Sequence, residues 1–573
     1  MRQLRLLILF AVLSSAAFAY QYPVKDVKGL HSASFAEMRP NHFHSGIDIK
    51  TEGRIGKPIV AAADGYISRV SHSPYGYGLA LYVTHPKLGT MTVYGHLSRF
   101  CDQVEELVRD YRYSNRANSV DMTFTADRFP VREGDTIGYS GNTGNSFGPH
   151  LHYELRNAAG THTYNIVRRG LCRPKDDIAP RLLRLHYIEV DTLDGVAVEA
   201  PMRSYTLKRG KGGNYEINGT VTVGRCGYFL LECRDNQSGN GSSRFGIYRA
   251  TKRVDGKTIF EYRMDGFAFA DTRLCNLVSH YALQRSARCE VIRLSQVAGA
   301  PGSLYRVAIG RGAMRAEANQ KRDVVVEVED DCGNSTKLTF TVVGKADNRL
   351  FTPVRDCVAV VAGAGRRVCV ADRGAKAFVG ARSLYAPTFC RVEATDIRPE
   401  IDGTVTLSNQ WQVLDNKLPL QSHITVALDA DVPQQLQTKC CVALRNHKGR
   451  YTYAGGYYAG GGKVYLRTRS VGSMVVVADT VAPKVRPVWT EGANLSNAKR
   501  LSFSVSDNFS GVDGYELWID GQWKTLNYAP IQATLYHTFD TPLAAGKKST
   551  HTVRLRVKDN VGNITVIESS FYR

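Results

Sequence analysis

The sequence predicts a mainly β protein in which a compact antiparallel β-sheet is followed by several β-sandwich modules. Residues 54–100 alternate short apolar runs with turns at Gly and Pro, which is typical of an antiparallel sheet. Beyond residue 177 the strands become longer, and apolar residues alternate with polar ones, as at 324–328, 501–505 and 553–557. Because such strands have one buried and one solvated face, they indicate sandwiches.

Two similar segments mark the expected starts of modules. They are Asp177-Ile178-Ala179-Pro180 and Asp479-Thr480-Val481-Ala482-Pro483. A chain of 573 residues is too long for one hydrophobic core. We therefore expect four units after the N-terminal segment, at residues 20–176, 177–345, 346–478 and 479–573.

One stretch of the first unit departs from the strand pattern. Val104, Leu107, Val108 and Tyr111 recur at the spacing of one helix face. This spacing predicts a helical insertion at about residues 101–129, before the sheet resumes at 130–131.

A turn motif rich in Asp, Asn and Gly follows several of the longer strands. It occurs at 331–334 and 559–563, with looser versions at 507–511 and 235–240. These residues tolerate left-handed backbone and cap their own turns, so structural corners are the favoured interpretation. The alternative is that the carboxylates of these corners bind calcium.

The first nineteen residues have the pattern of a secretory signal peptide. A short basic segment, 1–5, precedes the apolar run 6–13, and Ala17-Phe18-Ala19 supplies a small-x-small cleavage site. We expect the mature chain to begin at Tyr20, and a membrane anchor is the alternative. No later stretch is apolar enough to span a membrane, so the sequence predicts an exported protein, periplasmic or associated with the cell envelope.

The composition indicates the redox state of the compartment and the class of binding partner. Twelve cysteines suit an oxidising compartment or serve as buried thiols, and no CxxC pair is present for a zinc ribbon. The formal net charge is +21, and most of the excess lies beyond residue 176. Such charge favours anionic polymers, which outside the cell means wall or envelope glycans. No nucleic-acid-binding motif is present.

Two short segments carry the chemistry. They are His44-Ser45-Gly46-Ile47-Asp48 and Pro149-His150-Leu151-His152. An extended strand points residues i, i+2 and i+4 to one face, so both segments can aim polar side chains at one point. Two neutral imidazoles and one carboxylate are a normal ligand set for catalytic zinc, with a fourth position left to water. Together with a third histidine, His96, this pattern predicts a metallohydrolase.

At these residues the chain resembles the lysostaphin-type (LytM-like) zinc endopeptidases. The resemblance covers about residues 30–170 and rests on the blocks 43–49, 76–78, 94–98, 140–144 and 148–154. It departs from the family pattern at Tyr153, where Phe is usual, and at Gly95, where Ala is common. The insertion is a larger departure, which can reshape the groove.

The resemblance implies a fold, a reaction and a set of site residues. Family members have a compact antiparallel sheet with a groove, and they hydrolyse peptide bonds of bacterial peptidoglycan, in cross-links or stem peptides. By the motifs, His44, Asp48 and His152 correspond to the zinc ligands, and His96 and His150 to the catalytic pair. The sequence leaves open which histidine of this pair accepts the proton of the attacking water.

The later modules resemble the immunoglobulin-like modules attached to such enzymes in Bacteroidota, and they are candidate binding sites for other envelope proteins. Two alternatives to a wall hydrolase remain: a non-catalytic envelope scaffold or activator of other wall hydrolases, and an enzyme that acts on secreted proteins. Non-catalytic relatives typically lose ligands, whereas all five expected groups are present here. This favours the enzyme.

The remaining polar residues near these segments receive simpler interpretations. We expect His42 to line the groove or to support a ligand from behind, and His72 and His85 to lie in solvated turns. For Glu154 an ion pair with Arg156 is favoured, and alignment with the site face is the alternative. Arg39 and Asn41 flank the first segment and are candidate substrate contacts.

Overall fold

The computed structural model describes residues 20–193, 196–241, 243–298, 300–346, 358–360, 368–380, 382–539 and 549–573. The predicted signal peptide, residues 1–19, lies outside the described residues. Within the described ranges, no helix is both long enough and apolar enough to cross a membrane. The protein is mainly β, as predicted.

The N-terminal unit contains one main helix, α1 Asp102–Ser114, and thirteen strands. In chain order these are β1 His31–Ala33, β2 Met38–Arg39, β3 His42–Phe43, β4 Ile47–Lys50, β5 Pro58–Val60, β6 Gly65–His72, β7 Leu79–His85, β8 Thr90–Phe100, β9 Val120–Thr123, β10 Pro130–Val131, β11 Thr136–Ser140, β12 His150–Asn157 and β13 His162–Tyr164. Most of them belong to one antiparallel sheet with the order β1-β4-β12-β8-β7-β6-β10.

The second module follows with thirteen strands and two short helices, α2 Cys275–Val278 and α3 Tyr281–Ser286. The strands are β14 Arg181–Leu193, β15 Val196–Glu199, β16 Arg203–Thr206, β17 Lys208–Arg209, β18 Tyr215–Val223, β19 Gly227–Arg234, β20 Arg249–Val254, β21 Lys257–Arg263, β22 Gly266–Ala268, β23 Glu290–Arg293, β24 Tyr305–Ala308, β25 Lys321–Glu329 and β26 Ser335–Gly344. They form one sheet of order β15-β14-β19-β23 and another of order β17-β18-β26-β25-β20-β21-β24. Strand β22 instead pairs with β13 of the N-terminal unit.

The third module also has two larger sheets, with orders β28-β29-β34-β38-β37 and β31-β33-β39-β35-β36. Its strands are β27 Val358–Val360, β28 Val368–Asp372, β29 Ala375–Val379, β30 Thr388–Cys390, β31 Val392–Ala394, β32 Thr404–Thr406, β33 Trp411–Val413, β34 Ile424–Asp429, β35 Cys440–Arg445, β36 Tyr451–Tyr453, β37 Tyr457–Tyr458, β38 Lys463–Thr468 and β39 Gly472–Asp479. The adjacent Cys440 and Cys441 are both free thiols.

The C-terminal module contains β40 Lys484–Pro487, β41 Ala493–Asn494, β42 Arg500–Ser506, β43 Val512–Ile519, β44 Gln522–Lys524, β45 Asn527–Ala529, β46 Thr534–Thr538, β47 Thr550–Asp559 and β48 Ile564–Tyr572. These strands form sheets of order β40-β42-β46-β45 and β41-β48-β47-β43-β44. Leu501 and Phe503 of the first sheet share one core with Leu555 and Val557 of the second. The alternating strands therefore pack as a sandwich, as their sequence pattern predicts.

The N-terminal unit and the second module share one hydrophobic core. The ring of Phe267, on β22, packs against Phe35 and Phe43 with centroid distances of 5.5 and 5.3 Å. The third and C-terminal modules have cores of their own. The strands that carry the candidate site are thus supported by the module that follows them.

The insertion is only partly helical. Val104 and Val108 of α1 are buried as the helical spacing predicts, whereas Tyr111 is 41% exposed. After the helix the chain forms β9, which pairs with β6 and extends the sheet. This strand was not expected, because its short segment Val120–Thr123 has one buried residue and no apolar run.

The insertion also contacts the C-terminal module. The side chain of Asn118 donates a hydrogen bond to the Tyr515 carbonyl at 3.0 Å and accepts one from the Leu526 amide at 2.8 Å. Arg112 donates to the Leu526 carbonyl at 3.3 Å and to Asn527 Oδ1 at 3.0 Å. The C-terminal module is therefore held against the N-terminal unit through residues of the insertion.

Candidate metal centre

The two segments singled out in the sequence meet as neighbouring strands. Strand β4 pairs with β12 so that Asp48 lies directly opposite His152. On β4, Ile47 and Ile49 point into the core and are fully buried, which leaves Asp48 on the other face. Strand alternation places His152 on that same face of β12, and His44 precedes β4 by three residues.

Three side-chain atoms converge on this face. His44 Nε2 lies 3.1 Å from Asp48 Oδ1 and 3.1 Å from His152 Nδ1. The third distance, from His152 Nδ1 to Asp48 Oδ1, is 2.9 Å. All three residues are at least nine-tenths buried. This triangle of two imidazole nitrogens and one carboxylate oxygen can hold a metal ion.

The second nitrogen of each ligand-type histidine is already engaged. His44 Nδ1 donates to the Ser34 carbonyl at 2.7 Å, which leaves Nε2 with its lone pair toward Asp48. His152 Nε2 donates to Glu154 Oε1 at 2.7 Å, which leaves Nδ1 for the triangle. Such partners fix the tautomer and the orientation of metal-binding histidines.

Glu154 is the centre of a buried hydrogen-bond network behind the triangle. Besides His152, its Oε1 accepts from Ser45 Oγ at 2.7 Å and from the Tyr77 hydroxyl at 2.6 Å. Its Oε2 accepts from Arg156 Nε at 2.6 Å, so the expected ion pair with Arg156 is present. Burial would raise the pKa of Glu154, but Arg156 and His152 hold it well below its usual range. The support of His152 by Glu154, Tyr77 and Ser45 was not predicted.

His96 and His150 lie beside the triangle. His150 Nε2 is 3.6 Å from Asp48 Oδ1, and the rings of His96 and His150 have centroids 4.7 Å apart. His96 Nδ1 donates to the Thr143 carbonyl and His150 Nδ1 to the Gly148 carbonyl, each at 2.8 Å. Because a carbonyl only accepts, both rings carry their proton on Nδ1 and keep an Nε2 lone pair.

The backbone around His96 is tightly constrained. His96 has a φ of +61°, and the loop that supplies its acceptor, Thr143, passes close to the turn before β7. A Cβ on Gly144 would lie 2.4 Å from the Gly78 amide nitrogen, and one on Gly78 would lie 2.3 Å from Thr143 Oγ1. Glycine at both positions permits this approach and so positions the loop that orients His96.

Burial sets the charge states at the site. It lowers the pKa of His44 to about 4 despite the nearby Asp48, and with His150 and His152 it lowers the pKa of His96 to about 3. Burial acts in the same direction on His152, but hydrogen bonds to Asp48 and Glu154 outweigh it and raise its pKa to about 9. A metal ion at the triangle must therefore displace a proton from His152, since Nδ1 needs its lone pair to bind.

The residues that flank the first segment have structural partners. Arg39 Nη2 donates to Asp48 Oδ2 at 3.1 Å and so orients the carboxylate. Asn41 Oδ1 accepts from Arg273 and Asn276 of the second module, at 3.1 and 3.2 Å. His42 is exposed, with Nδ1 3.0 Å from the Pro40 carbonyl.

The prediction that His72 and His85 are solvated is wrong. His85 is fully buried, with Nδ1 2.9 Å from the Asp64 carbonyl and Nε2 2.8 Å from Thr92 Oγ1. His72 is half-buried. Both residues end strands of the central sheet, and neighbouring chain covers these strand ends, which turn composition alone does not reveal.

Comparison with known proteins identifies the unit that carries this site. The sequence model of peptidase family M23 matches residues 42–110, which include His44, Asp48 and His96. The N-terminal unit is a LytM-like peptidase domain. A second family model, the Zu5-like domain, matches residues 384–479 in the third module.

Curated relatives match the same part of the chain. DD-carboxypeptidase/endopeptidase Mpg of Neisseria meningitidis serogroup B (strain MC58) is 37% identical over 113 residues, which are 20% of this chain and 20% of that protein. Peptidoglycan DD-endopeptidase ShyC of Vibrio cholerae is 34% identical over 112 residues, again 20% of each chain. The match thus spans about a fifth of the length of these relatives.

Among the solved structures, the chain is similar to the catalytic domain of the antimicrobial peptidase lysostaphin from Staphylococcus simulans. It is 25% identical, and the match covers 21% of this chain and 75% of that chain with a TM-score of 0.16.

Proposed function

We propose that the protein is an exported zinc metalloendopeptidase that hydrolyses peptide bonds in bacterial peptidoglycan, in cross-links or stem peptides, and so remodels the cell wall. The observation that carries this proposal is the arrangement of five side chains in the peptidase domain. In this proposal His44, Asp48 and His152 bind the metal, and His96 and His150 are the catalytic pair.

The donor set of the triangle fits zinc. Zinc binds histidine nitrogen and carboxylate oxygen at about 2.0–2.2 Å, so tetrahedral geometry separates two ligand atoms by roughly 3.4 Å. The three atoms of the triangle are 2.9–3.1 Å apart, close to that spacing. Calcium and magnesium prefer oxygen ligands alone, which makes them poorer matches to two imidazoles.

The catalytic roles follow from the tautomers of the two remaining histidines. Bound zinc supplies Lewis acidity, lowering the pKa of a water ligand towards ~7 and polarising a carbonyl. His96 and His150 each present an unprotonated Nε2 beside the triangle. One accepts the proton of the attacking water at its Nε2. The other can donate to the oxyanion of the tetrahedral intermediate only after its own Nε2 has taken up a proton from solvent, which makes its ring an imidazolium.

The substrate proposal is supported by the names of the relatives and by the surroundings of the site. One relative is named a DD-carboxypeptidase/endopeptidase, and another a peptidoglycan DD-endopeptidase. Phe147 is 91% exposed in the glycine-rich loop before His150, where it offers an apolar contact to an extended peptide. The net charge of +21 suits an anionic wall polymer.

The test is digestion of isolated sacculi by the purified, zinc-loaded full chain, with the released muropeptides resolved by chromatography and mass spectrometry. We expect new fragments that end at a hydrolysed peptide bond, and none with His150→Ala protein that retains zinc. An absence of fragments from the zinc-loaded wild type would instead favour the envelope scaffold. Cleavage of secreted proteins without any effect on sacculi would contradict the wall substrate.

A further inference from the structure

Two clusters of aspartates outside the peptidase site have the same arrangement of carboxylates and hydrogen-bond partners. In each cluster one carboxylate oxygen from every member lies within 4.8 Å of the others. Cluster A is Asp176, Asp235 and Asp330, and cluster B is Asp479, Asp507 and Asp559. Cluster A lies where the second module begins, and cluster B lies where the C-terminal module begins.

The first aspartate of each cluster opens its module with the same turn. Asp176 Oδ1 accepts a hydrogen bond from the Ile178 amide at 3.1 Å, and Asp479 Oδ1 accepts one from the Val481 amide at 3.1 Å. The structural counterpart of Asp479 is therefore Asp176, whereas the repeated sequence segment predicts Asp177.

The third aspartate of each cluster has the same partner at the same spacing. Asp330 accepts from the backbone and side-chain amides of Asn334, both at 2.9 Å. Asp559 accepts from the backbone and side-chain amides of Asn563, both at 2.7 Å. Each asparagine side chain also donates to the backbone carbonyl of the first aspartate in its cluster, at 3.3 and 2.9 Å.

The middle aspartates leave a buried oxygen without a protein partner. Asp235 is 3% exposed, and its Oδ1 has no hydrogen-bond partner among the described residues. In cluster B, Asp507 Oδ1 likewise has none, nor does Oγ of Ser510, which is 3% exposed in the same turn. A buried polar oxygen without a partner is costly, and its repetition in two modules indicates a ligand.

The middle aspartate of cluster A lies close to other carboxylates. Burial raises the pKa of Asp235 to about 9, and the carboxylates of Asp330, Asp176 and Asp331 act in the same direction. Three carboxylates this close need either protons or a cation.

We propose that clusters A and B are calcium sites at the junctions between modules. Carboxylate, carbonyl and hydroxyl oxygens are the ligands that calcium prefers, and three carboxylates give the charge that a divalent cation needs. Zinc is a poorer match, because neither cluster contains a histidine or cysteine.

Calcium in cluster A would also secure the strand behind the peptidase site. In the loop that begins at Asp235, Gln237 Oε1 accepts from the His31 amide on β1 at 3.0 Å. The Gly246 amide donates to Ser34 Oγ at 2.7 Å, and the Ser34 carbonyl is the partner of His44. The ion would therefore hold the second module in the position that supports a ligand-type histidine.

The test is equilibrium dialysis of the calcium-depleted, zinc-loaded full chain against radioactive calcium. We expect two calcium ions per chain, with dissociation constants of about 10⁻⁴–10⁻³ M as in other extracellular modules. Asp235→Asn and Asp507→Asn should each bind one ion, and the double variant none. Asp431→Asn is the matched control, because it removes one exposed carboxylate outside both clusters and should still bind two ions.

Unfolding of the wild type supplies a second readout that does not depend on the variants. About 1 mM calcium should raise the apparent melting temperature of the full chain, and the same concentration of magnesium should not. No bound calcium at this concentration would overturn the proposal, as would two ions bound to both single variants. Equal binding of magnesium would contradict the assignment to calcium. These outcomes concern calcium binding alone, and peptidoglycan hydrolysis is tested separately, because no cluster residue is a ligand of the proposed zinc site.

Discussion

Glu154 Oε1 accepts a hydrogen bond from His152 Nε2 at 2.7 Å, and both side chains are buried. This bond decides which ring nitrogen of His152 faces Asp48. Glu154 lies two residues beyond His152 on the same face of β12. It therefore holds the His152 ring in the orientation that metal binding requires. Tyr77, Ser45 and Arg156 hold that carboxylate in turn.

Glu154→Gln is expected to weaken zinc binding about 10–100-fold, because a neutral amide holds the His152 tautomer less firmly than a carboxylate. The affinity is measured by competition with a chelator of known strength. Glu106→Gln, which changes an exposed residue of α1, is the control and should bind zinc like the wild type. Unchanged affinity in Glu154→Gln would show that the network does not support the metal.

His150→Ala is expected to retain one zinc ion per chain while hydrolysis falls on the order of a hundredfold or more. The physical reason is that His150 lies beside the triangle without belonging to it. Metal content and the rate of muropeptide release are measured on the same preparation. His447→Ala, which removes an exposed histidine of the third module, is the control. Loss of zinc from His150→Ala would place His150 among the ligands.

Two substitutions of His96 distinguish its catalytic role from the effect of its left-handed backbone on stability. His96→Asn and His96→Ala should both lose activity on the order of a hundredfold, because each removes the imidazole. Only His96→Ala should also lose about 1 kcal/mol of stability, since Asn tolerates the left-handed φ of this position better than Ala does. Chemical unfolding compares the two variants, and equal stability would argue against strain at residue 96.

Asn118→Ala is expected to loosen the C-terminal module from the insertion. The substitution leaves the Leu526 amide and the Tyr515 carbonyl without partners, at a cost of about 1–3 kcal/mol. Hydrogen exchange should accelerate at residues 515–528. In the control, Asn115→Ala, the lost side chain is exposed and donates a hydrogen bond to the Tyr111 carbonyl of α1, and exchange in residues 515–528 should stay at the wild-type level.

The pH dependence of stability follows from two neutral histidines, of which His537 is buried and His72 is half-buried. Burial and Arg112 lower the pKa of His72 to about 3, and burial lowers the pKa of His537 to about 4. The unfolded chain takes up protons near the ordinary pKa of about 6.5, so the free energy of unfolding falls as pH falls below that value. The urea midpoint should therefore drop between about pH 7 and about pH 5, and drop less in the double variant His72→Gln/His537→Gln. An equal drop in both proteins would contradict this cause.

The strands, and the faces on which the site residues lie, could be predicted because both depend on local periodicity. A spacing of two puts His150, His152 and Glu154 on one face of β12, whatever the rest of the chain does. The helical spacing at Val104 and Val108 predicted α1 for the same reason.

The supporting contacts could not be predicted in this way, because they join residues that are far apart in sequence. Tyr77 reaches Glu154 from a turn whose path is set by Gly78 and Gly144. The signal that was available for Glu154 was its position two residues beyond His152 on the same face. Asn118 contacts residues of the C-terminal module that lie about four hundred positions away in the sequence. No local sequence pattern indicates such a contact.

The most direct test of the metal centre is an anomalous difference map at the zinc edge from crystals of the zinc-loaded full chain. We expect one peak within about 2.0–2.2 Å of His44 Nε2, Asp48 Oδ1 and His152 Nδ1, with His96 and His150 outside the coordination sphere. A peak bound by a different set of side chains, or none at this triangle, would contradict the proposed centre.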